Sequence, residues 1–204
     1  MVTEKRYLDA QQLLEDSMQL GVQVLESGFK PTFIIAIWRG GAPIGIAVQE
    51  VLKTQGVNAD HIAIRTSSYH GIDGRDDEVK VFNMSYLIKK ITHEDRLLIV
   101  DDVFDTGNSI EAVISHLKAK TRLNAPQDIR VAVPFYKPTR NQTTREPDYY
   151  LYETEQWLKF PHSLEGLTID EMRQNRPELL EILSRANGSM FEKAFKSDAV
   201  EGSE

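Results

Sequence analysis

Residues 97–109 read LLIVDDVFDTGNS, and the parsing of this stretch decides the fold. Leu97, Leu98, Ile99 and Val100 form an unbroken apolar run, which fits a strand covered on both faces, as in a parallel sheet. The run meets the acidic pair Asp101 and Asp102, then Asp105, Thr106, Gly107, Asn108 and Ser109, after which an amphipathic helical pattern begins. The Thr-Gly-Asn-Ser segment offers closely spaced backbone N–H groups, two hydroxyls and a glycine free to take positive φ, all at the positive end of a helix dipole. Such a turn suits a phosphate. Three carboxylates beside it would repel that phosphate unless they face sugar hydroxyls or a divalent cation bridging to the ligand. A helix cap needs one acceptor, not three carboxylates. The stretch therefore points to one phosphate, one polyol and Mg²⁺.

A second unit of the same kind lies upstream. Residues 33–37 are a short β-rich run ending at Trp38, Arg39, Gly40 and Gly41, and Pro43 opens an apolar helix expected to reach about Gln55. Strand, glycine turn and helix make a second anion site, with Arg39 at the carboxyl end of a parallel strand, where open α/β sheets bind ligands. Around these two units the pattern alternates. Asp9 caps a covering helix with apolar positions Leu13, Leu14, Met18, Val22 and Leu25 that ends at Gly28. Strands are expected at 62–66, 79–82, 129–135 and 149–152, and a helix from about Asn108 to Leu123. Residues 85–92 fit a short helix or a strand equally well. Residues 71–78, with two glycines and five charges, are too polar to stay fixed and are expected to be a mobile loop or lid. Thr168 with Glu171, and Pro177 before an apolar run, mark two short helices ending near Asn187 and Gly188. The expected class is α/β, with a mostly parallel central sheet flanked by helices.

At the level of motifs, DDVFDTGNS resembles the phosphoribosyl-pyrophosphate (PRPP) signature of the type I phosphoribosyltransferases, and the resemblance extends over about residues 5–165. It implies that Asp101 and Asp102 hold the PRPP ribose, directly or through a metal, and that Asp105, Thr106, Gly107, Asn108 and Ser109 hold the 5′-phosphate. It assigns pyrophosphate to Arg39, Gly40 and Gly41, and a general-base role to Asp105. Ser68 and Tyr69 resemble the pair that begins the flexible catalytic loop of the 6-oxopurine branch. Lys137, in the context Phe135-Tyr136-Lys137-Pro138, matches the lysine that donates to the purine O6 in that branch. Trp157 and Leu158 resemble the aromatic hood that covers the base in xanthine-guanine phosphoribosyltransferase. That relative carries an acidic residue a few positions later, facing the base 2-position, where this chain has His162 and Ser163. Hypoxanthine is therefore expected ahead of guanine, and xanthine last. The resemblance also implies Mg²⁺ as cofactor and a homodimer or homotetramer.

Composition sets the remaining bounds. The 204 residues, 41% hydrophobic and 27% charged, suit one domain over about 1–190, comprising a hood at about 136–165 and helices at about 168–188, with 191–204 as a tail. There are no cysteines, and His61, His70, His93, His116 and His162 lack metal-ligand spacing. Apolar runs are too short to span a bilayer and the start lacks a signal-peptide core, so a cytoplasmic protein is expected. A net charge of −7 disfavours nucleic acid. Two rivals stay open: an enzyme of the same fold for another base, such as a pyrimidine, and a non-enzymatic PRPP-sensing regulator. Lys137 and Trp157 argue against the first, and the acidic charge and the retained Asp105 against the second.

Overall fold

The computed structural model describes residues 5–69 and 78–186. The chain begins with β1 (Lys5–Tyr7) and α1 (Ala10–Glu26), where the Asp9 carboxylate accepts from the Gln12 amide as the cap its position implied. β2 (Phe33–Trp38) leads to α2 (Gly41–Thr54), which begins two residues before Pro43. Proline is tolerated there because the first-turn N–H groups lack intrahelical partners anyway. β3 (Asp60–Tyr69) is longer than expected, and β4 (Glu78–Phe82) pairs antiparallel with it. The expected lid lies, apart from Glu78, outside the described residues. The ambiguous stretch 85–92 carries α3 (Ser85–Lys90), which buries Leu87.

β5 (Arg96–Val100), the two-residue β6 (Val103–Phe104) and α4 (Asn108–Thr121) follow. α4 stops where Arg122 takes a φ of +53° and a 3₁₀ turn begins. β7 (Asp128–Tyr136), β8 (Tyr149–Glu153), β9 (Trp157–Lys159), α5 (Ile169–Asn175) and α6 (Pro177–Ala186) complete the described chain. The Thr168–Glu171 capping box at α5 is formed in both directions.

The main sheet runs β4-β3-β2-β5-β7-β6, with β8 also paired to β7, and every pairing except β3 with β4 is parallel. β5 lies between β2 and β7, so its side chains are covered on both sides of the sheet. Ile99 packs with Ile35, Val131 and the α4 residues Ile110, Val113 and Leu117. Leu98 and Val100 pack on the opposite face with Leu20 and Val24 of α1 and Ile44, Val48 and Leu52 of α2. Both faces of one strand are thus committed to core, which is why the 97–100 run has no polar alternation. Truncation of the fully buried Ile99 to alanine is expected to cost about 2–5 kcal/mol, measured as the shift in urea unfolding at constant m-value.

The topology also fixes where a ligand can enter. β2 continues through α2 to β3 on one side, whereas β5 continues through α4 to β7 on the other. The loops leaving the carboxyl ends of β2 and β5 therefore diverge, and open α/β sheets bind ligands in that crevice. A separate two-stranded parallel sheet joins β1 to β9 in the register Lys5 with Trp157, Arg6 with Leu158 and Tyr7 with Lys159. The sequence gives no sign of this pairing, since each strand has only three residues. Among the described residues no helix is long and apolar enough to cross a membrane.

Candidate active site

The two strand-turn-helix units meet at the diverging point. The loop after β2 packs directly on the acidic pair after β5. A β-carbon on Gly40 would lie 1.8 Å from Asp102 Oδ2, and one on Gly41 would lie 2.5 Å from the Val100 carbonyl oxygen. Both distances are far below contact, so only glycine lets the chain approach this closely. The peptide between Trp38 and Arg39 is cis. Gly41→Ala must push the loop off β5. We expect a loss of about 1–3 kcal/mol of stability and loss of anion binding at Arg39, to be read by thermal unfolding and by titration with inorganic pyrophosphate.

Asp101 accepts a 2.9 Å hydrogen bond from the Asp102 amide. Burial of the Asp101 carboxyl, reinforced by the neighbouring Asp102 charge, holds its pKa well above the usual carboxylate range. Two adjoining carboxylates with no lysine or arginine ion-paired to them among the described residues form an anionic spot that a cation would relieve. Asp102 instead faces His162, whose Nε2 lies 3.6 Å from Oδ2.

The turn after Asp105 depends on its glycine. Gly107 has a φ of +80°, and a β-carbon there would lie 2.7 Å from Thr143 Oγ1 and 2.8 Å from the Phe104 ring. α4 begins without a side-chain cap, as do α2 and α3, whereas α1 and α5 are capped. At α2 the Gly41 amide donates to Asp101, the Ala42 amide donates to the Arg39 carbonyl at 3.1 Å and Pro43 has no N–H, whereas at α4 the Asn108 amide donates to Thr106 Oγ1 at 3.4 Å. Asp101, Asp102, Asp105, Thr106, Gly107 and Ser109 line one cavity of about 210 Å³.

Parallel pairing of β6 with β7 sets Val103 beside Phe135 and Phe104 beside Tyr136. The Lys137 amide then donates to the Phe104 carbonyl, and one step further along, Asp105 comes beside Lys137. Lys137 is buried, and its Nζ lies 3.4 Å from Asp105 Oδ2. Arg140, carried back by the 3₁₀ turn Pro138–Arg140, places its Nε 2.6 Å from Oδ1. That contact is an ion pair without hydrogen-bond alignment, since Oδ1 is buried and accepts no hydrogen bond. Arg140 carries no sequence signal, and only the fold brings it to Asp105.

The remaining expected residues are dispersed around this centre. Leu158 is buried against Leu13, Phe135 and Phe160, with Val103 packed on the same cluster, so its side chain serves the core. Trp157 is 50% exposed and has the Lys159 ammonium 5.6 Å from its ring centroid. It is not the core plug that a tryptophan after the last strand usually makes. Arg39 forms a 2.7 Å ion pair with Glu165. Ser68 and Tyr69 end β3. Among the described residues no group of three or more His, Asp and Glu side chains is clustered to hold a metal.

The phosphoribosyl transferase domain family matches residues 3–171. A comparison with curated protein sequences gives no match. Among solved structures the chain is similar to a purine phosphoribosyltransferase from Pyrococcus horikoshii, at 26% identity and a TM-score of 0.63 over 80% of this chain and 96% of that one. It is similar in fold to a xanthine-guanine-hypoxanthine phosphoribosyltransferase of Helicobacter pylori, at 22% identity and a TM-score of 0.60 over 77% of this chain and 92% of that one. A Neisseria gonorrhoeae protein solved with ppGpp has the same fold, at 19% identity and a TM-score of 0.67 over 87% of this chain and 98% of that one. The family match spans both glycine turns, the acidic pair, Lys137 and Trp157, and this chain belongs to the phosphoribosyltransferase family.

Proposed function

We propose that this protein transfers the 5-phosphoribosyl group of PRPP to a 6-oxopurine, giving the nucleoside monophosphate and pyrophosphate. Hypoxanthine is the preferred base, with guanine next. The observation that carries the reading is the buried Lys137 ammonium set against Asp105 at the mouth of the uncapped α4 turn, so that a base-sized acceptor and a phosphate would sit side by side.

In this reading the 5′-phosphate binds the N–H groups and hydroxyls of the turn at Thr106, Gly107, Asn108 and Ser109. Asp101 and Asp102 take the ribose hydroxyls, while Arg39 and the glycine loop take the pyrophosphate. The donor set fits Mg²⁺: two adjoining carboxylates are hard oxygen ligands, too few to complete an octahedron alone, and Mg²⁺ is commonly held by one or two carboxylates together with substrate phosphates and water. When bound, it would neutralise charge on the departing pyrophosphate.

As the C1′–oxygen bond to pyrophosphate breaks, positive charge grows on the ribose, and the fixed carboxylates stabilise it without rearranging. Asp105 accepts the proton from purine N7 as the base nitrogen attacks C1′. The ion pairs from Lys137 and Arg140 keep Asp105 oriented until the base arrives. Lys137 then directs a donor to O6.

The test is PRPP-dependent pyrophosphate release with hypoxanthine, guanine, xanthine, adenine and uracil. Release with 6-oxopurines supports the reading. Release with uracil alone would assign the chain to a pyrimidine base, and none with any base, despite PRPP binding, would favour the regulator.

A further inference from the structure

Arg176, at the carboxyl end of α5, is only 7% exposed, and no carboxylate forms an ion pair with it among the described residues. Its guanidinium donates instead from Nη1 to the Pro161 carbonyl at 3.0 Å and from Nη2 to the Lys159 carbonyl at 2.9 Å. An apolar side chain would fill this space without the desolvation cost of a cation. What a planar five-donor fork adds, and neither a hydrocarbon nor a lysine supplies, is a fixed grip on two carbonyls at once. The far side of the same loop is gripped in the same way. Lys159, itself 5% exposed, donates from Nζ to the Glu165 carbonyl at 2.8 Å, and Lys5 Nζ donates to the Gly166 carbonyl at 3.1 Å.

The loop so held, residues 160–166, extends two side chains to the site. His162 reaches Asp102, and Glu165 reaches Arg39. These are the positions that the proposed function gives to ribose and pyrophosphate. Trp157 and Leu158 are held by the pairing of β9 with β1, opposite Lys5 and Arg6, and Arg176 meets that sheet at its other end, through the Lys159 carbonyl and the Tyr7 ring. Loop 160–166, gripped at Pro161, therefore depends on Arg176 more directly than Trp157 and Leu158 do.

We propose that Arg176 is a positioning residue for the PRPP side of the site, acting through loop 160–166 on Arg39 and Asp102 and not on the base. The inference rests on the PRPP reading above. Glu165 occupies one edge of the Arg39 fork through Nη2, and Nε and Nη1 remain for a phosphate. A long exposed side chain ordered in advance has less freedom to lose when its ligand binds. Through this chain of contacts the C-terminal helices become part of the PRPP-binding machinery.

The test compares the full-length wild type with Arg176→Met and Arg176→Lys. We expect the KM for PRPP to rise by about three- to tenfold, with kcat and the KM for hypoxanthine changed by less than about twofold. Calorimetric titration with inorganic pyrophosphate and Mg²⁺ should show a parallel loss of affinity. In a His162→Ala/Glu165→Gln background, Arg176→Met should add nothing, because the path it acts through is gone. An unchanged KM for PRPP, equal rises for both substrates, or a fully additive effect in that background would overturn the proposal. Should Arg176→Met fail to fold, the double variant alone decides, since it must reproduce the rise in the KM for PRPP. If the wild type turns over no base, the functional reading fails by itself, and the pyrophosphate titration still reads the effect of Arg176.

Discussion

Asp105→Asn is expected to lower turnover by about 10²–10⁴-fold while changing PRPP affinity little, because asparagine keeps the size and a carbonyl acceptor but cannot take a proton. The structure sharpens the expected pattern. Asp105 is the shared partner of Lys137 and Arg140, so the substitution removes the anion between two cations. Lys137 is buried, and a buried charge left without its partner is destabilising by about 3–5 kcal/mol at the extreme, lessened here by the asparagine carbonyl. Thermal unfolding should therefore accompany the kinetics, with rates normalised to folded protein. A folded variant turning over at the wild-type rate would remove the general-base role. A proportional loss of PRPP binding and turnover would instead move Asp105 from proton transfer to substrate holding.

Adenine should be rejected by a factor on the order of 10⁴ in kcat/KM relative to hypoxanthine, about the limit that a hydrogen-bonding site reaches against an analogue that cannot make the bond. An ammonium has donors only, so Lys137 can serve the O6 acceptor of a 6-oxopurine but faces the amino group of adenine with no acceptor to offer. Its burial raises the cost, because neither group can turn to water. Lys137→Gln, whose amide both donates and accepts, should narrow the gap mainly by lowering hypoxanthine turnover. Among 6-oxopurines, hypoxanthine should be used at least as well as guanine, and xanthine least. Position 162 is a histidine facing Asp102 rather than an acid facing the base 2-position, and hypoxanthine has nothing there that needs a partner. Equal kcat/KM for adenine and hypoxanthine would sink the Lys137 assignment, and a strong xanthine preference would show that another group reads the 2-position.

The same distinction between local and distant contacts explains how much could be read from the sequence. Residues 97–100 announce a strand buried on both faces, and the Asp9 and Thr168 caps announce α1 and α5, because strand burial pattern and capping are decided by residues within a turn or two of each other. Gly107 and the Arg39-Gly40-Gly41 turn were likewise visible as strand-to-helix turns, and with them the ligand end of the sheet. The ambiguity at 85–92 shows the limit, since a short apolar segment takes the conformation that its neighbours impose, and here burial of Leu87 favoured α3.

What the tertiary structure alone decided are the pairings between segments far apart in the chain. The β6–β7 register brings Lys137 to Asp105, and a turn three residues later brings Arg140 to the same carboxylate. The β1–β9 sheet, the Arg39–Glu165 ion pair and the grip of Arg176 on loop 160–166 join positions whose separations leave no periodicity to detect. Chain sequence specifies the strands, turns and caps through short-range sterics and hydrogen bonding, whereas the meeting of distant charges depends on register and packing that only the assembled core sets.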